Sequence, residues 1–137
     1  MLTDQDRTLL DRPLLGLLTV PPPAGRVPAP RPVWFETTPG GELQLFSFTS
    51  SPKVRRLEDD PRASLVVVAP ADEEERWVSV TADVSVSSDG ARELAGRLAE
   101  RYWDTTTPEH RAMLDEWSTT DLRRIVLHPT AVTRGPA

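Results

Sequence analysis

Between Trp77 and Val86 the chain alternates without a break: valines stand at positions 78, 80, 84 and 86, and polar residues at 79, 81, 83 and 85. Successive side chains of a strand point to opposite faces, so this pattern predicts a long strand with one face buried and the other open. Any fold for this sequence must be built around such a strand.

Several shorter strands accompany it. Leu14 to Val20 is an apolar run closed by Pro21-Pro22-Pro23-Ala24-Gly25, a strand followed by a turn. Val27 to Thr37 carries prolines at 28, 30 and 32. At a spacing of two, their missing N–H groups face one side, as on an edge strand. That strand is expected to continue through Trp34-Phe35, turn at Pro39-Gly40-Gly41 and return as a hairpin over Glu42 to Phe48. Ala63 to Ala69 is β-branched and predicts a strand buried on both faces or nearly so. A last strand, Arg124 to Thr133, is expected to be interrupted at Pro129.

Helices are signalled by caps. Thr3 precedes a short amphipathic segment to Leu10, Ser51-Pro52 opens another, and Thr107-Pro108 opens a third running to Trp117; in the last two, Pro occupies the first helical position. From Ala91 to Trp103 the apolar spacing is helical, with Leu94 and Leu98 one turn apart. Six mostly antiparallel strands, late helices and no βαβ alternation predict a mainly β fold, a six-stranded antiparallel split β-barrel forming a single domain over residues 1–137.

Composition narrows the chemistry. The chain has 137 residues and no cysteine, which excludes disulfides, thiolate metal sites and cysteine nucleophiles. A net charge of -5 opposes general nucleic-acid binding, which needs a basic face. No apolar run approaches the roughly 20 residues that cross a bilayer, and the N-terminus is acidic where a secretory signal is basic, so a cytoplasmic location away from membranes is expected. His110 and His128 are the only histidines and stand in no metal-ligand spacing, so no metal site is expected. Consecutive carboxylates at Asp72-Glu73-Glu74-Glu75 read as a solvated loop. There is no Gly-x-Ser-x-Gly elbow to support a hydrolase.

The stretch from Phe48 to Leu57 is the most informative chemically. It ends a strand and opens a helix at Ser51-Pro52, where first-turn N–H groups are free, the helix dipole is positive and Lys53, the sole lysine, adds charge. Such a place attracts phosphate. An ordinary capped surface helix would share these residues. Arg31, one hairpin earlier, can be brought beside the cap by strand pairing.

The order Arg31-Pro32-Val33-Trp34-Phe35, a hairpin, Ser51-x-Lys53-Val54-Arg55 with Leu57, then Asp60-Pro61-Arg62-Ala63-Ser64-Leu65, resembles the pyridoxamine 5'-phosphate oxidase-like split barrels, especially the smaller flavin and deazaflavin oxidoreductases. The likeness covers most of the chain, from Leu17-Leu18-Thr19-Val20 onward. It implies FMN or coenzyme F-420 as cofactor, with Arg31, Ser51 and Lys53 on its phosphate, Val33 and Trp34 offering backbone groups to its ring, and Ser47 along its ribityl chain. It also implies a homodimer with the cofactor at the two-fold interface, Trp77 as a lining residue, and hydride transfer to a small conjugated substrate.

Three departures qualify the resemblance. Arg56 stands where the smaller enzymes often have Asn, so its contact with the cofactor differs. Thr81-Ala82 replaces an expected glycine. The C-terminal Arg and His substrate motif of true pyridoxamine phosphate oxidases is missing, which excludes that activity. The competing expectation is a non-enzymatic dimer that stores a flavin or binds haem, with His128 as a conceivable axial ligand.

Overall fold

The computed structural model describes residues 1–136. Helix α1 (Asp4–Leu10) starts at Thr3, whose hydroxyl accepts the Asp6 N–H while the Asp6 carboxylate accepts the Thr3 N–H, a reciprocal cap. The strands are β1 (Gly16–Thr19), β2 (Arg31–Val33), β3 (Glu36–Thr37), β4 (Leu43–Phe48), β5 (Arg62–Val68), β6 (Trp77–Ser87) and β7 (Leu122–Gly135). Helix α2 (Pro52–Asp59) follows β4, and α3 (Ala91–Tyr102) and α4 (Pro108–Trp117) separate β6 from β7.

All seven strands form one antiparallel sheet in the order β2-β1-β5-β6-β7-β4-β3. Its two edges, β2 and β3, are joined by only Trp34 and Phe35. Laid flat, seven strands would hold those edges about 29 Å apart. The three steps from Val33 to Glu36 reach at most roughly 11 Å. The sheet must therefore curl until its edges meet, a barrel with an unpaired seam.

The described residues form seven strands where six were expected, because the segment from Val27 to Thr37 does not form one strand. Val27 to Pro30 pairs with no strand among the described residues, and Trp34-Phe35 steps out of the ladder as the chain crosses the seam. Phe35 inserts fully into the core there. The Tyr102 hydroxyl replaces the ladder: it accepts the Phe35 N–H at 3.4 Å and lies 3.2 Å from the Phe35 carbonyl and 2.7 Å from that of Leu14.

Two other expectations are corrected. Strand β5 alternates instead of being buried on both sides: Ala63, Leu65 and Val67 face the core, while Val68 is 48% exposed. Pro129 does not interrupt β7. The register shifts between Thr81 and Ala82 so that Pro129 pairs with Ala82 and Ala131 with Thr81, and Thr130 is left as the extra residue of a bulge.

The barrel interior is filled by Leu18, Phe35, Leu43, Leu45, Leu65 and Ile125, with Leu9 and Leu10 of α1 and Val54 and Leu57 of α2 closing onto the same core.

Candidate functional site

Strand β4 delivers the chain to α2 through a tight turn. Thr49 donates both its N–H and its hydroxyl to the Asp121 carbonyl, pinning the turn to the start of β7. Ser51 then caps α2, its Oγ 3.4 Å from the Val54 nitrogen and 2.9 Å from the Oγ of buried Ser47. Ser47 thus braces the cap from beneath. Pro52 occupies the first turn, where a missing N–H costs nothing.

Beside this helix start lies a groove of about 460 Å³. Arg31, Ser51, Lys53 and Arg56 line it together with Leu18 and Val20. Strand pairing explains the gathering: Arg31 on β2 lies directly across from Leu18 on β1. None of Arg31, Lys53 and Arg56 forms an ion pair among the described residues. Burial without a partner pushes the Lys53 ammonium below its ordinary lysine pKa. The site is basic, and no carboxylate lines it among the described residues, an arrangement suited to a phosphate.

The remaining expected residues fall elsewhere. Val33 is buried in the core at the seam. Trp34 is half-buried and stacks on Tyr102 with centroids 5.3 Å apart, and it meets Trp103 and Trp117 edge-on in the same aromatic cluster. Trp77 lies outside the groove, across from Val68, and its indole covers Gly135, leaving no room for a Cβ there. It lines a separate hollow with Gln5, Thr8 and Arg134. Within one chain, four of the eight expected residues meet in the groove, with Ser47 just beneath it.

Sequence reasoning missed Arg26, Leu18 and Val20 as groove residues. The triple proline before Arg26 read only as a turn, although a basic residue following a stiff segment was visible. The histidines hold local roles: His128 is exposed with Nε2 3.0 Å from the Ser85 hydroxyl, and His110 stacks on Trp103 at 4.1 Å. No group of three His, Cys, Asp or Glu residues could hold a metal among the described residues. No helix there is long and apolar enough to cross a membrane.

A curled antiparallel sheet, split at a seam, with a capped helix and basic groove beside the first strands, defines a split barrel of the pyridoxamine 5'-phosphate oxidase type. The model of the pyridoxamine 5'-phosphate oxidase family matches residues 2–132, and the chain belongs to that family. Among solved structures it is similar to an F-420 reductase, at 27% identity over 96% of this chain and 98% of the other, with a TM-score of 0.76. A conserved hypothetical protein from Mycobacterium tuberculosis shares the fold at 19% identity, covering 98% and 84% of the two chains, with a TM-score of 0.77. So does a haem storage protein from Vibrio cholerae, at 16% identity over 94% and 91%, with a TM-score of 0.68. No curated protein matches the chain.

Proposed function

We propose that this protein is a flavin- or deazaflavin-dependent oxidoreductase that holds FMN or F-420 by its phosphate. The observation that carries the reading is Lys53: a partly buried ammonium, without a carboxylate partner among the described residues, in a groove shared with Arg31, Ser51 and Arg56. A phosphate restores the solvation that burial removes from Lys53, and the free N–H groups and dipole of α2 add to the attraction. Membership of the family and the similarity to an F-420 reductase support a cofactor of this class. The bound cofactor would supply hydride transfer to a small conjugated substrate. The chain's own residues anchor and orient it, and no side chain of the groove is required as a nucleophile.

The reading includes a homodimer. On the outer face of the sheet Leu17 is 40% and Val68 48% exposed, and Pro32 and Val66 flank Leu17 on either side while Trp77 adjoins Val68. A second copy packed on this apolar surface would bring its own Trp77 towards the cofactor, giving that residue the role the single chain does not.

The haem reading draws on likeness of fold alone, since neither histidine lines the groove. Side-by-side titration with FMN and F-420, followed by tryptophan fluorescence, tests the proposal. Saturable binding of one of them, weakened about 10- to 100-fold by Lys53→Ala, is the expected result. Binding of haem in place of both, or unchanged affinity in the folded variant, would overturn it.

A further inference from the structure

The segment from Pro21 to Pro30 follows β1, forms no strand and is almost wholly exposed, with Val27 at 84%. It is nonetheless constrained. Prolines at 21, 22, 23, 28 and 30 restrict φ at half of its positions, and a turn at Ala24-Gly25 is closed by the Arg26 N–H to the Pro23 carbonyl at 3.0 Å. Gly25 takes φ +79°, a conformation that side chains disfavour. This stiff strap forms part of the wall of the phosphate groove through Pro22, Pro23, Val27 and Ala29, and sets Arg26 within it.

Arg26 is the fourth cation of the groove, after Arg31, Lys53 and Arg56. None of the four makes an ion pair among the described residues, whereas Arg12, Arg62, Arg97, Arg123 and Arg134 all do. The acids beside Arg56 form no ion pair with it among the described residues: Asp59 and Asp60 line an adjoining hollow with Arg55 and Arg56, but Asp60 is bound to Arg62 and Asp59 pairs with neither arginine. A chain of net charge -5 has gathered four positive charges in one place. The terminal phosphate of FMN carries about -1.5 to -2 at neutral pH, so it would leave roughly half of that charge uncompensated.

We propose that Arg26, presented by the proline strap, reads a second acidic group of the cofactor beyond the phosphate held by Lys53 and Ser51. The groove thereby selects a cofactor whose acidic groups continue past the first phosphate over FMN. The inference rests on the phosphate-anchoring reading above. Two ligands carry the required chemistry: the diphosphate of FAD, and the phosphodiester of F-420 with its trailing carboxylates.

The test is titration of the full-length protein with FMN, FAD and F-420, for wild type, Arg26→Ala, Arg26→Lys and Lys53→Ala, following tryptophan fluorescence. Wild type is expected to bind FAD or F-420 at least about tenfold more tightly than FMN, and the tighter ligand names the source of the second acid. Arg26→Ala should remove most of that preference while leaving FMN affinity within about twofold, and Arg26→Lys should retain part of it. Lys53→Ala should weaken all ligands alike. FMN binding as tightly as the larger cofactors, or Arg26→Ala leaving their affinity unchanged, would overturn the role of Arg26 while leaving the Lys53 anchor standing. Binding of none of the three would overturn both.

Discussion

The guanidinium of Arg134 donates two hydrogen bonds to the carboxylate of Asp6, at 2.9 and 2.8 Å, joining the start of the chain to the end of the last strand. Asp6 is almost fully buried, while the Arg134 side chain is 46% exposed. The same carboxylate caps α1 through the Thr3 N–H, so a single side chain fixes the helix start and its docking on the sheet.

Asp6→Asn is therefore expected to lower the free energy of unfolding by about 1–2 kcal/mol, a value reduced for the solvent that reaches Arg134. The Arg134 hydrogen bonds hold the Asp6 carboxyl below its usual pKa. A depressed carboxylate pKa contributes stability above the unfolded value, lost as pH falls through the folded one. Urea melts at pH 7 and pH 3 should show wild type losing more stability than Asp6→Asn; equal losses would refute the linkage.

Lys53→Met should separate binding from folding. Burial lowers the Lys53 pKa, so its charge disfavours the folded state below that pKa, and the penalty fades as pH rises towards the unfolded lysine value. Removing the charge is expected to leave the protein as stable as wild type or more so, while cofactor binding falls sharply. In wild type, affinity should decline as pH rises through the Lys53 pKa, earlier than an ordinary lysine would dictate. Thermal melts and titrations across the alkaline range measure both effects.

Tyr102→Phe removes the hydroxyl that serves the Phe35 backbone at the seam. A loss of about 1–2 kcal/mol is expected. Hydrogen exchange should show faster opening at Trp34 and Phe35 than in β6; uniform acceleration would mean that Tyr102 does not act locally.

Leu17→Glu places a charge on the outer apolar face beside Val66 and Pro32. Light scattering is expected to report a dimer for wild type and a monomer for the variant, with an unchanged far-UV circular dichroism spectrum. A wild-type monomer would remove the proposed role of Trp77.

Much of the local structure was legible in advance because its causes are local. Thr3, Ser51 and Thr107 cap the helices they were expected to cap, since a side-chain oxygen three residues before an N–H needs no distant partner. The alternation of β6 likewise announced its buried face. The groove was partly legible: Ser51 and Lys53 are neighbours in sequence, and Arg31 was anticipated beside them because a strand pairing would carry it there.

Adjacent residues thus determined where the helices begin, the alternation of β6, and where the positive end of α2 lies beside Lys53. Tertiary structure alone decided the rest. Trp34 and Phe35 could have continued a strand, but closure of the sheet sent the chain across the seam, producing two short edge strands from one predicted strand. The β-branched run of β5 promised burial on both faces, yet a single curled sheet has only one interior. Arg26 joined the groove because a stiff strap turned back towards β2. Each of these depends on contacts between residues far apart in the chain, and neither period nor propensity carries that information.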